Sequence, residues 1–218
     1  MRPSVNRLPL SGNNGESAGT FRAGLETICA NVELHARFLN TLSLLEHIGS
    51  RKIMLARGAV RDRHMLQHLA EETRHAFYFK RSAEKLAQRS LDYSERCMLA
   101  GAAARFYMGR LDAHITSELR AGAGALAYIY MSLIIEDRAV WAYRIYQRVL
   151  ESADCGISLK PVLAEENLHL DAMLTRIEQQ DRQASDRIPR FCAFEHAAFG
   201  RLWAAIERDC ADIRAAAE

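Results

Sequence analysis

Residues 71–75 read EETRH and residues 165–169 read EENLH, two copies of an acid-acid-x-x-histidine string in one chain. Roughly a helical hairpin earlier stands a lone glutamate in an apolar run, Glu46 in LSLLEHIG and Glu136 in SLIIEDRAVWAY. On a helix, positions i and i+3 share a face, so Glu72 stands beside His75 and Glu166 beside His169. Steps of seven residues from the four glutamates reach Leu39 and Ile53, Met65 and Phe79, Ile129 and Tyr143, Leu159 and Met173. Each acid thus sits in the stripe where its helix otherwise carries apolar or aromatic side chains. The chain reads as all-α, with four long helices packed around a polar centre.

Burying one unpaired carboxylate costs several kcal/mol, so four together need cations. Two divalent metals would neutralise four carboxylates, with the histidines binding as neutral imidazoles. Glu46, Glu72, His75, Glu136, Glu166 and His169 are the set a helical bundle uses to hold two iron or manganese ions. A network of salt bridges would instead need buried arginines or lysines. Arg74 and Arg138 are the candidates, and their helical offsets place them beside the stripe. Glu71 and Glu165 are expected to hold the outer nitrogen of a metal-bound histidine, their own or the one across the bundle. Tyr143, one heptad past Glu136, is a candidate phenol beside the metals. With 17 Glu and 8 His in 218 residues, Glu-x-x-His alone is expected about 0.6 times by chance. An acid directly before it lowers that to roughly 0.07, so two copies carry weight. His47, His64, His68 and His196 are expected to be solvated or hydrogen-bonded rather than ligands. Phe77, Tyr78 and Phe79 read as core packing.

Residues 1–20, rich in Ser, Asn and Gly, read as a flexible leader, and 21–218 as one domain. A long first helix is expected from Phe21 to near Gly58, and a second over 62–89. A shorter crossing helix is expected between Leu91 and Leu111, and a third long helix from near Thr116 to Gly156. Ser158 and Pro161 mark the entry to a fourth. An extra C-terminal helix over 188–216 carries Phe191, Phe194, Phe199, Trp203 and Ile206 along one face. In the first hairpin Glu46 and Glu72 stand at equal heights about a turn near residue 59. In the second, the midpoint of Glu136 and Glu166 is residue 151, whereas the expected loop centres near 156.

Twenty-nine basic and 27 acidic residues, mixed along the chain, give no electrostatic case for nucleic acid or an acidic membrane surface. Five scattered cysteines without a C-x-x-C pair encode no zinc knuckle or rubredoxin-type centre. Reduced thiols and the lack of an apolar leader or membrane span favour a cytoplasmic protein.

Glu46, Glu72-x-x-His75, Glu136 and Glu166-x-x-His169 together resemble the ferritin-like di-iron carboxylate superfamily, over roughly residues 25–180. The doubled acid is similar to oxygen-activating members such as bacterial multicomponent monooxygenases and ribonucleotide reductase small subunits. The spacings are closer to small single-domain members such as cyanobacterial aldehyde deformylating oxygenase. The resemblance implies that Glu72 and Glu166 bridge or shift between the metals and act in catalysis. Glu46 and Glu136 would be terminal ligands, with His75 and His169 opposite. It also implies an oxygenase or oxidase acting on a small organic substrate, with O2 and an external electron donor as partners, as a monomer or homodimer. Iron storage or peroxide detoxification in a multimeric shell is the other reading. The rubredoxin module of rubrerythrin is absent, and the C-terminal helix has no counterpart.

Overall fold

Asn31 decides where the first bundle helix begins. Its side-chain oxygen accepts the Leu34 N–H at 3.0 Å, an N-cap that divides the apolar run from Phe21 into two helices. The computed structural model describes residues 15–56, 63–119 and 124–216. Within them α1 spans Gly15–Cys29, α2 Val32–Leu55, α3 Arg63–Ala87 and α4 Gly101–Glu118. They are followed by α5 over Gly124–Ala153, α6 over Lys160–Gln180 and α7 over Ala184–Ala215. A 3-10 turn covers Glu95–Cys97, and no strand occurs among the described residues. The fold is an all-α helical bundle.

Several boundaries differ from the sequence reading. The single first helix is two, and its expected end near Gly58 lies outside the described residues. Helix α1 opens at Gly15, inside the stretch read as leader, while residues 1–14 lie outside the described residues. The crossing helix is shifted to 101–118, so Thr116 closes it rather than opening the next one. Long-range side-chain bonds explain the shift. Asn40 donates to the carbonyls of Asp92 and Cys97, each at 2.8 Å, and Thr41 donates to Leu99 O at 2.7 Å. Backbone groups of 92–99 thereby find partners on α2 without needing a helix.

Two hairpins make the bundle: α2 packs on α3, and α5 on α6. Ser43 donates to Ala76 O at 2.7 Å, which fixes the first hairpin's level and sets Glu46 opposite Thr73, next to Glu72. In the second hairpin the loop doubles back along α5, and Leu159 N–H donates to Gln147 Oε1 at 2.5 Å. Tyr78 of α3 holds the same loop, donating to Ser158 O at 2.8 Å. With Leu159 opposite Gln147, Glu166 stands opposite Val140, about one turn from Glu136. The loop's path thus reduces the mismatch of heights expected for this hairpin to about one turn.

All eight heptad neighbours of the four glutamates are buried. Helix α7 lies against α4 and α5, with Phe191 against Tyr130 and Trp203 against Phe21 and Phe38. Gly24 lets α1 approach this layer, since a Cβ there would lie 2.5 Å from Trp203 Cζ2. Buried Arg138 turns away from the bundle centre to Glu195 of α7, at 2.9 and 2.7 Å, and Tyr107 donates to the same carboxylate. That charge is paired outside the polar centre, as its offset from the stripe implies.

Candidate metal centre

Four helices deliver the polar side chains to one place. Helix α2 brings Glu46; α3 brings His68, Glu72 and His75; α5 brings Glu136; α6 brings Glu166 and His169. None of the seven is more than 8% exposed. Their ligand atoms fall into two groups, each with all atoms within 4.8 Å of one another. One group is Glu46, Glu72, His75 and Glu166; the other is His68, Glu72, Glu136 and His169. Glu72 belongs to both, and each group has the makings of a metal-ion site.

All six residues singled out from the sequence are thus brought together. His68, expected to be a solvated or hydrogen-bonded histidine, is buried and hydrogen-bonded, and it also stands inside the cluster. Its Nε2 lies 2.9 Å from Glu136 Oε1 and 3.5 Å from Glu72 Oε1. The signal was present, since His68 precedes His75 by one heptad and Glu72 by one helical turn. It was passed over because the Glu-x-x-His spacing does not contain it.

Each imidazole has an outer partner that turns its other nitrogen inward. Nε2–H of His75 donates to Glu165 Oε2 at 2.7 Å, and Nε2–H of His169 donates to Glu71 Oε2 at 2.6 Å. Both bonds cross from α3 to α6, so of the two arrangements open to Glu71 and Glu165 the chain uses the exchanged one. Arg74, half exposed, adds an ion pair to Glu165 at 2.7 Å. His68 Nδ1 is hydrogen-bonded to the hydroxyl of Tyr128, 2.9 Å away, a residue the motifs gave no reason to single out. Tyr143 donates its hydroxyl to Glu46 Oε1.

The inner atoms are differently placed. His75 Nδ1 is 3.0 Å from Glu166 Oε1, and His169 Nδ1 is 3.7 Å from Glu166 Oε2. Yet neither Nδ1 makes an aligned hydrogen bond, nor do Glu72 Oε1, Glu166 Oε2 or either oxygen of Glu136. The 3.0 Å contact is close but misdirected, and the 3.7 Å contact is too long for a hydrogen bond. Six buried donor atoms without aligned partners fit a pair of metal ions, which take lone pairs from all of them at once.

Electrostatics within the cluster is uneven. Burial, then repulsion from Glu72 and Glu166, pushes the Glu46 carboxyl well above its usual range. Burial likewise lifts Glu136 to about 7, against the opposing pull of His68. Burial raises Glu166 as well, but the attraction of His169 and His75 beside it outweighs burial and takes it the other way, to about 2. The imidazoles respond in turn. Burial lowers each, but carboxylates on several sides carry His75 to about 10, His169 to about 9 and His68 well above its ordinary value.

A cavity of about 350 Å3 opens onto this centre, with His68, Glu72 and Glu136 at its floor. Among the described residues no helix is long and apolar enough to cross a membrane. The chain matches no protein-family model, no curated protein and no solved structure.

Proposed function

We propose that the chain is a non-haem di-iron oxidoreductase, an oxygenase or oxidase that acts on a small organic molecule beside the metals. One observation carries the reading: two buried carboxylate-histidine groups share Glu72 at the floor of a cavity. Four carboxylates balance two divalent cations, and the three histidines add neutral donors. Three imidazoles favour iron over manganese, which prefers an oxygen-rich set. When bound, a ferrous pair supplies the electrons that reduce O2, and an external donor restores them.

The protein's own residues prepare the site. Glu46, Glu72, His75 and Glu166 would hold one ion, and His68, Glu72, Glu136 and His169 the other. Glu72 would be shared by the two, and Glu166 stands near both histidines of the Glu-x-x-His pairs. Glu165, Glu71 and Tyr128 fix the ring orientation and leave a lone pair turned inward. Tyr143 holds a proton against Glu46 Oε1, ready to follow a change of charge on that carboxylate. Packing around the cluster leaves none of its seven side chains more than 8% exposed.

Anaerobic titration with Fe(II), followed by desalting and elemental analysis, should give two irons per chain. O2 uptake should then continue past that stoichiometry when a chemical reductant is supplied. A chain that retains no metal ends the reading. Uptake that stops at the bound iron, together with elution as a large shell on size exclusion, selects iron storage instead.

A further inference from the structure

The cavity above the cluster has a definite chemistry. It runs from His68, Glu72 and Glu136 to the last turn of α2 and the first turns of α5. At about 30 Å3 for each non-hydrogen atom, its 350 Å3 takes a molecule of about a dozen such atoms. Its walls are apolar: Ile53 from α2, Met108 from α4, Met131 and Ile135 from α5. Two of these are methionines, whose unbranched side chains fit irregular or flat guests.

Among the described residues two charged side chains line the cavity apart from the cluster itself, Lys52 and Asp112. They neutralise one another, with Lys52 Nζ 2.5 Å from Asp112 Oδ2. A guest with a net charge would therefore enter a mainly apolar space with no free counter-ion among the described residues of its wall. It would have to compete with this partly exposed pair or give up hydration without a partner, and either weakens its binding. Tyr128 is already joined to His68, while Thr116 and Ser132 supply hydroxyls for a neutral polar group.

Resting on the metal reading for its chemistry but not for its binding, we infer that the cavity selects an uncharged, mainly apolar molecule of about a dozen non-hydrogen atoms. Aromatic or branched frames with a single hydroxyl or amide fit it. Ala127, also on the wall, offers a place to close the space without touching the cluster.

The experiment uses 2-naphthol, an intrinsically fluorescent probe of suitable size, and reads its anisotropy with the full chain. Its charged counterparts, 2-naphthoate and 2-(aminomethyl)naphthalene, serve as competitors. Titrations are run both after chelator treatment and with Mn(II) bound. The expected result is saturable binding of 2-naphthol in both states, with each charged analogue at least about tenfold weaker after chelation. Ala127→Trp should abolish binding. Met131→Ala, an independent variant, should keep it and admit a larger naphthol. Equal binding of 2-naphthoate by the chelated chain overturns the selection by charge. Absence of 2-naphthol binding, or binding unmoved by both substitutions, overturns the assignment of the cavity. Elemental analysis of the same samples keeps the two readings apart. Two metals without probe binding sinks this inference alone; probe binding without metal sinks the di-iron reading alone.

Discussion

Glu72 is the one side chain common to both groups, and replacing it with alanine should therefore cost twice what replacing Glu136 or Glu46 costs. The measure is the stability gained from metal. A ligand that binds only the folded state, at a free concentration of 100 times its Kd, adds about 2.7 kcal/mol per site. Two sites then add about 5 kcal/mol, and for a chain of this size each kcal/mol moves Tm by about 2–4 °C. The wild type should melt about 10–20 °C higher with saturating Mn(II) than with chelator. Glu136→Ala or Glu46→Ala should keep about half of that increment, and Glu72→Ala almost none. Differential scanning calorimetry of each variant against its own chelated baseline cancels the intrinsic effect of the substitution. A Glu72→Ala chain that keeps half the increment refutes the shared ligand. A wild type that gains nothing from metal reduces the cluster to a network of protonated histidines and carboxylates.

The exchanged carboxylates make a second test: Glu71→Gln should weaken the group that contains His169, and Glu165→Gln the group that contains His75, each by about 10–100-fold in affinity. Mn(II) titration followed by paramagnetic resonance reads this, and a loss confined to neither variant contradicts the crossing. Metal affinity should rise with pH. His75 at about 10 and His169 at about 9 keep their protons at neutral pH, so metal must displace both. The group of His75 displaces one such proton and the group of His169 and His68 two, so affinity rises about tenfold and about a hundredfold per pH unit, respectively, between about pH 6 and 8. Competition with a calibrated chelator measures it, and a flat profile counts against inward-facing imidazoles. In the scaffold, Asn31→Ala should cost about 1 kcal/mol through the lost cap of α2. Gly24→Val should cost about 1–3 kcal/mol by forcing α1 off Trp203. Urea denaturation followed by circular dichroism reads both.

Periodicity carried most of the fold and most of the centre. The heptad steps from Glu46, Glu72, Glu136 and Glu166 each reached a buried neighbour, because a buried stripe constrains every seventh position of a long helix. Boundaries were harder wherever backbone groups are satisfied from a distance. Asn40 and Thr41 hold residues 92–99 outside a helix, and nothing local to that stretch announces it. The cap at Asn31 is a local signal, Asn followed two residues on by Glu33, but the apolar spacing runs through it unbroken. His68 and Tyr128 were missed for a different reason. They join the cluster through the third dimension of the bundle, His68 from the turn before the motif and Tyr128 from two turns before Glu136. A search keyed to Glu-x-x-His sees neither.

The two groups are unequal, and that inequality bears on function more than the ligand count does. The cavity floor is made by His68, Glu72 and Glu136, all from one group, whereas Glu46, His75 and Glu166 line none of it. A guest therefore meets one side of the centre. The far side is closed by Tyr143 on Glu46 and by Phe79, which packs against Tyr143 at a ring separation of 5.5 Å. The phenol of Tyr143 thus meets the enclosed carboxylate Glu46, while the cavity meets His68, Glu72 and Glu136. Glu72 joins the two sides, as the single side chain that lies on the floor and in both groups. Glu166, near both His75 and His169, also links the sides, but Glu72 alone belongs to both groups, which is why its replacement should be felt at both.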